Sequence, residues 1–144
     1  MITFESTESI ARSPADVFAF VADVRNDPQW HTDVLKAELT SGTLVADRTT
    51  FTLRFRPFMG LSEGTGIVTA YEPPHRFVVE ERMGKFEPKI ILIIEPDVAG
   101  SQISRRVELE PAGLLRFMAP LIGGMMRKQN AGFLANLKRV LETG

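Results

Sequence analysis

Two polar side chains interrupt otherwise apolar faces of this sequence, and both suit the handling of a ligand oxygen. The first is Arg105. Ile103, Arg105, Val107 and Leu109 share one parity of a strand pattern, while Gln102, Ser104, Arg106, Glu108 and Glu110 share the other. A guanidinium on the inward parity is costly to bury alone, so it needs a partner or water. A pocket arginine anchors a carboxylate or polarises a carbonyl through its planar fork of donors. The same position also fits a structural ion pair with a glutamate such as Glu81, or a bulge that turns the side chain outward. The second is Gln129, which stands between Met126 and Phe133 in steps of three and four on a helical pattern. Its neutral amide can hydrogen-bond a ligand oxygen, although a glutamine at the rim would fit the spacing too.

Aromatic and titratable residues add a second tier of candidates. Trp30, the single tryptophan, follows a turn. It either caps a cavity mouth with a free indole N–H or pins short helices to a sheet. His31 beside it has an ordinary pKa suited to acid–base work, yet a lone histidine in a polar turn is more often a surface residue. His75, in a Pro-Pro-His-Arg turn, is expected in solvent. Tyr71, the only tyrosine, is either a pocket proton donor or the closing residue of a strand end. Met59, Met83, Met118, Met125 and Met126 fit either an adaptable pocket wall or plain core filling.

The remaining composition removes whole classes of chemistry. The chain has no cysteine, which excludes disulfides, thiol nucleophiles and thiolate metal sites. It has two histidines, too few for a multi-histidine metal centre, and no metal or other cofactor is expected. A net charge of -1 supplies no field to draw the chain to nucleic acid or an anionic surface. The basic residues of the last third are spread around their helix rather than lined up for phosphates. The first residues lack the basic start and apolar core of a signal peptide, and no apolar run reaches the ~20 residues of a membrane span. Cytoplasmic residence is the resulting expectation.

The elements that must position these residues can be read from periodicity. Ile2, Phe4 and Ile10 share a parity in a first strand. Ser13-Pro14-Ala15-Asp16 caps a short helix whose apolar face is Val17, Phe18, Phe20 and Val21. Asp23 to Pro28 reads as a break, followed by a second short helix or turn around Gln29–Val34 that carries Trp30. Period two then predicts strands over 34–41, 49–56, 63–71, 76–83, 88–95 and 102–110, joined by short turns in an antiparallel meander. The run Ile90–Ile94 predicts a strand covered on both faces or lying at a homodimer surface. From about Gly113 to Glu142 the period becomes 3.6, with Ile122, Met126, Phe133, Leu137 and Val140 in one arc. Pro120 and Gly123-Gly124 predict a kink. Helices and sheet are segregated, which is an α+β architecture in one domain over 1–144.

In this order and spacing the sequence resembles the SRPBCC superfamily of START, Bet v1-like and polyketide cyclase/dehydrase-like proteins. The resemblance rests on Ser13-Pro14-Ala15-Asp16-Val17-Phe18, Asn26-Asp27-Pro28-Gln29-Trp30, Tyr71-Glu72-Pro73-Pro74-His75-Arg76-Phe77, Glu110-Pro111-Ala112-Gly113 and Leu137–Glu142. It implies a helix-grip fold, a curved antiparallel sheet wrapped around a long C-terminal helix. It also implies an internal cavity that binds or carries a hydrophobic or amphipathic small molecule. Two alternatives stay open: a polyketide cyclase/dehydratase-like enzyme using Arg105, Tyr71 or His31 for proton work, and an accessory protein acting through a protein or membrane-surface contact. The expected cavity is of order 300–1,000 Å³. Met126, Phe133, Trp30 and Tyr71 are expected in its wall, with Arg105 and Gln129 as its polar contacts.

Overall fold

A computed structural model describes residues 1–58, 60–110 and 116–143. Strand β1 (Ile2–Ile10) leads into helix α1 (Pro14–Val21), which Ser13 caps by accepting from the Asp16 N–H at 3.2 Å. The Asp23–Pro28 stretch, expected as a break, is instead a 3₁₀ turn over Val24–Gln29. The Asp23 carboxylate accepts from the Arg25 N–H and starts that turn, so the second short helix precedes Gln29 rather than following it. Strands β2 (Val34–Leu39), β3 (Thr50–Phe58), β4 (Leu61–Glu72), β5 (Arg76–Arg82), β6 (Lys89–Asp97) and β7 (Gly100–Leu109) follow, and α2 (Ala119–Thr143) closes the order.

The seven strands form one antiparallel sheet in the order β1-β7-β6-β5-β4-β3-β2. With α2 it makes the α+β helix-grip architecture expected from the sequence. The meander runs back to β7, which pairs with β1, so Arg105 stands opposite Ser6 on one side and Leu92 on the other. The Ile90–Ile94 run lies in β6, between β5 and β7. Leu92 and Ile94 are buried in the core, while Ile91 and Ile93 are half-buried on the opposite face beside Val78, Arg76 and Arg106. Long arginine stems cover apolar surface there.

Close packing on the concave face depends on one glycine. Gly66 pairs with Phe51, and a Cβ at Gly66 would fall 2.3 Å from the Phe51 ring. Without that Cβ the ring lies flat against its neighbour strand and is fully buried.

Helix α2 is continuous through Gly123 and Gly124, so the glycine pair does not break the helix. Pro120 is the second residue of the helix, where a missing N–H removes no helical hydrogen bond. The expected start near Gly113 lies outside the described residues. The buried face is also rotated relative to expectation. It comprises Gly123, Asn130, Phe133, Leu134, Leu137 and Leu141, whereas Ile122, Met126 and Val140 are only half-buried. A stripe at 130, 134, 137 and 141 buries three leucines, more apolar surface than a stripe centred on 122, 126 and 140 could.

Candidate functional site

The rotation of α2 decides which polar side chain faces the sheet. Gln129 is exposed, and Asn130 takes the position expected for it. Asn130 is completely buried and joins helix to sheet twice. Its side-chain oxygen accepts from Arg105 Nη1 at 2.6 Å, and its Nδ2 donates to the Arg105 backbone carbonyl at 2.9 Å. Arg105 does point inward, as the strand parity predicts, with 5% of its surface exposed. Among the described residues it has no carboxylate within 4.0 Å, so neither the ion pair nor the outward bulge is realised. Its guanidinium carbon lies 5.9 Å from the ring centres of both Trp30 and Phe133, a cation–π sandwich that offsets part of the lost hydration.

A small cavity adjoins this group. Its wall includes Trp30, His31, Asp27, Glu81, Leu92 and Arg105, with valines from α1, the 3₁₀ turn and β5. The enclosed volume is about 40 Å³, far below the several hundred expected. Phe77, Leu92, Phe133 and Leu137 are packed into the space between helix and sheet. What remains has room for one or two water-sized groups. A wider depression of about 610 Å³ lies on the opposite, outer parity of β3, β4 and β5, where Thr50, Thr52, Thr65, Ile67, Glu80 and Arg82 make a surface of mixed polarity.

Three polar atoms near the cavity are buried without a hydrogen-bond partner among the described residues: Trp30 Nε1, His31 Nδ1 and Arg105 Nε. A native structure holds few such atoms, because each unmade bond costs about 1–3 kcal/mol. His31 stacks on Phe133 with ring centres 3.9 Å apart. Burial, reinforced by the positive charge of Arg105, lowers its pKa from 6.5 to about 3. A pKa there leaves the imidazole neutral at physiological pH, with one ring N–H retained.

The two carboxyls of the wall shift the other way. Burial pushes Glu81 up to about 7, with Arg105 pulling against it. Asp27 is raised well above the carboxylate range by burial and by Glu81, again opposed by Arg105. Each residue keeps some open surface, yet its carboxyl is set among protein atoms deeply enough to lose most of its hydration. Burial likewise lowers the pKa of Arg105, and both carboxyls counter this. A carboxyl with a raised folded pKa stabilises the fold below its unfolded value and stops doing so as pH rises through the folded one. For Glu81 that window runs from 4.5 to about 7 and amounts to at most about 3 kcal/mol. A carbon-detected NMR titration should place its carboxyl midpoint near 7, and Glu81→Gln should gain stability relative to the parent as pH rises through that window. A midpoint near 4.5 would contradict the burial argument.

Other expected wall residues lie elsewhere. Met126 is half-buried against Ile2, Phe4, Val107 and Leu109, a second core cluster. Tyr71 meets Phe18 and Phe77 edge-on at 5.3 and 6.2 Å, outside the cavity wall. Met118 and Met125 are exposed, and Met59 lies outside the described residues. Trp30 belongs to the cavity wall, whereas Phe133 lies against Arg105 and His31 without lining the cavity. Asp27 and Asn130 were not among the candidates. Leu134, Leu137 and Leu141 would have indicated Asn130, whereas Asp27 sits in an Asp-Pro turn that carries no burial signal.

A family model described as polyketide cyclase / dehydrase and lipid transport matches residues 1–142. The chain belongs to that family. Solved structures similar to this family member share its fold at low sequence identity. A Staphylococcus aureus protein of unknown function, SA2116, aligns with a TM-score of 0.79 and 13% identity over 99% of this chain and 94% of that one. TTHA0849 from Thermus thermophilus gives 0.77 and 14% over 95% and 94%. The protein Ara h 8.0201 gives 0.73 and 14% over 99% and 98%. A search of curated protein sequences finds no significant match. Among the described residues of this polyketide cyclase/dehydrase and lipid transport family member, no helix is long and apolar enough to cross a membrane.

Proposed function

We propose that the chain binds an amphipathic small molecule whose oxygen-bearing end meets Arg105 between Trp30 and His31. The observation that carries this is the group of unpartnered polar atoms, Trp30 Nε1, Arg105 Nε and His31 Nδ1, on side chains that share one cavity wall. Two are donors, and a carboxylate or carbonyl oxygen would satisfy them. The cavity's own volume suits that end alone. The apolar remainder needs the surrounding phenylalanine and leucine side chains to move aside. The family description, with its lipid transport and cyclase activities, supports a ligand of this class.

Calorimetric titration with straight-chain carboxylates from butyrate to decanoate, and with the alcohols of matching length, tests the reading. Carboxylates should bind about tenfold or more tighter than their alcohols, the usual value of a hydrogen bond to a charged group. Arg105→Met should erase the difference. Equal affinities for the two series would remove the basis for the site.

A second reading, an acid–base enzyme, draws on a different observation. Glu81 titrates at about 7 in the same wall as Arg105. A carboxyl poised near neutrality can take and return a proton beside a carbonyl that arginine polarises. Under this reading, the protein in deuterium oxide should exchange the α-protons of a straight-chain methyl ketone, with a rate midpoint near 7 and loss in Glu81→Gln. Exchange no faster than in buffer would leave binding as the function.

A further inference from the structure

The turn at 116–118 and the first half of α2 carry an apolar face that nothing covers among the described residues. Phe117 is 85% exposed and Leu121 72%, and Met118 and Met125 are each about half exposed. Leu121, Met125 and Lys128 follow one another at spacings of four and three, so they share a stripe along the helix axis. Gly124 lies on the same side, with open space where a side chain would be. Each residue could have been polar without disturbing the core, which α2 meets through Asn130, Phe133 and Leu134 on another face.

Charge is segregated in the same region. The sequence holds no aspartate or glutamate between Glu110 and Glu142, and Arg116, Arg127, Lys128, Lys138 and Arg139 all lie in that interval. Lys138 is tied to Glu142 at 2.9 Å, and Arg139 donates to Asn136. Arg116, Arg127 and Lys128 form no ion pair among the described residues and flank the exposed apolar side chains. The chain as a whole carries -1, so this is a local cationic rim on a nearly neutral protein.

We infer that this face docks on an anionic lipid bilayer, with Phe117, Leu121 and Met125 entering the headgroup boundary and Arg116, Arg127 and Lys128 meeting lipid phosphates. An apolar stripe edged by cations is what an interfacial helix presents. A second copy of the chain fits less well, because a two-fold contact along the stripe would bring the two sets of uncompensated cations together. The stripe covers only about two turns of helix, short of the roughly 800 Å² that a stable protein contact buries on each side. The inference concerns a surface remote from Asn130 on the helix and does not depend on what the cavity binds.

The test is sedimentation of the full chain with large vesicles of phosphatidylcholine alone and of phosphatidylcholine mixed with phosphatidylglycerol. Binding should be at least about tenfold stronger to the mixed vesicles and should fall as salt is raised. Arg127→Gln with Lys128→Gln should lose most of that preference, and Phe117→Ser with Leu121→Ser should lose binding to either vesicle. All four positions are exposed, so thermal unfolding should hardly change. Equal binding to both vesicles would overturn the role of the cations. No binding to either would overturn the inference, as would a dimer in solution that the Phe117 and Leu121 substitutions abolish.

Discussion

Between pH 6.5 and about 3, His31 alone should remove roughly 4–5 kcal/mol of stability. In the folded protein its imidazole is stacked on Phe133, with its Nδ1 buried, and Arg105 adds a like charge against protonation. The unfolded chain binds a proton below 6.5, while the folded one does so only near 3. Unfolding is thus favoured as pH falls across that window, and the stabilisation is complete above it. Asp27 and Glu81 act in the opposite sense, because the fold holds their protons more tightly than the unfolded chain does. The total pH profile therefore blends opposing slopes. The difference between the parent and His31→Phe isolates the imidazole, since phenylalanine keeps the stack and cannot titrate. Denaturant unfolding should show that variant gaining on the parent by about 1.4 kcal/mol per pH unit below 6.5. Parallel profiles would mean that the folded imidazole protonates as freely as the unfolded one.

Truncating Asn130 should cost about 2–4 kcal/mol. Asn130→Ala removes the acceptor for Arg105 Nη1 and the donor to the Arg105 carbonyl, and both groups are left in the interior. It also leaves a void at a position with no exposure. A buried guanidinium without its acceptor is the larger loss. Replacing both partners, Arg105→Met with Asn130→Leu, should recover much of the stability, because no charge then remains to be satisfied. A double-mutant cycle should give a coupling of roughly 1–3 kcal/mol. If Asn130→Ala unfolded within about 0.5 kcal/mol of the parent, the pair could not be what fixes helix to sheet.

The fold was legible because its signals are long. Seven strands with turn residues between them, and a switch to helical spacing in the last third, leave few other arrangements. Arg105 was legible for a related reason: parity in a strand has only two outcomes, and the flanking Ile103 and Val107 decide between them. Gln129 was misplaced because a helix has no such binary choice. A rotation of one residue, about 100°, moves a side chain from core to solvent, and Ile122 and Met126 pulled the predicted arc toward Gln129. The cavity size was not legible at all. It depends on how Phe77, Phe133 and Leu92 fill the curve of the sheet, and on Gly66 giving Phe51 room, which are facts of three-dimensional packing. The raised carboxyls were half visible. Glu81 shares the inward parity of Phe77 and Val79, whereas Asp27 depends on where a 3₁₀ turn folds back.

The binding site at Arg105 can be tested on one proton. Trp30 is the only tryptophan, so its Nε1–H gives a single indole resonance in an NMR spectrum. That donor has no partner among the described residues and belongs to the cavity wall. Adding decanoate should move the indole proton downfield as it begins to donate to the ligand's carboxylate, and the shift should saturate. Arg105→Met, checked to be folded, should weaken that titration by about tenfold or more. An indole resonance that does not move while calorimetry records decanoate binding would place the ligand elsewhere and contradict the site.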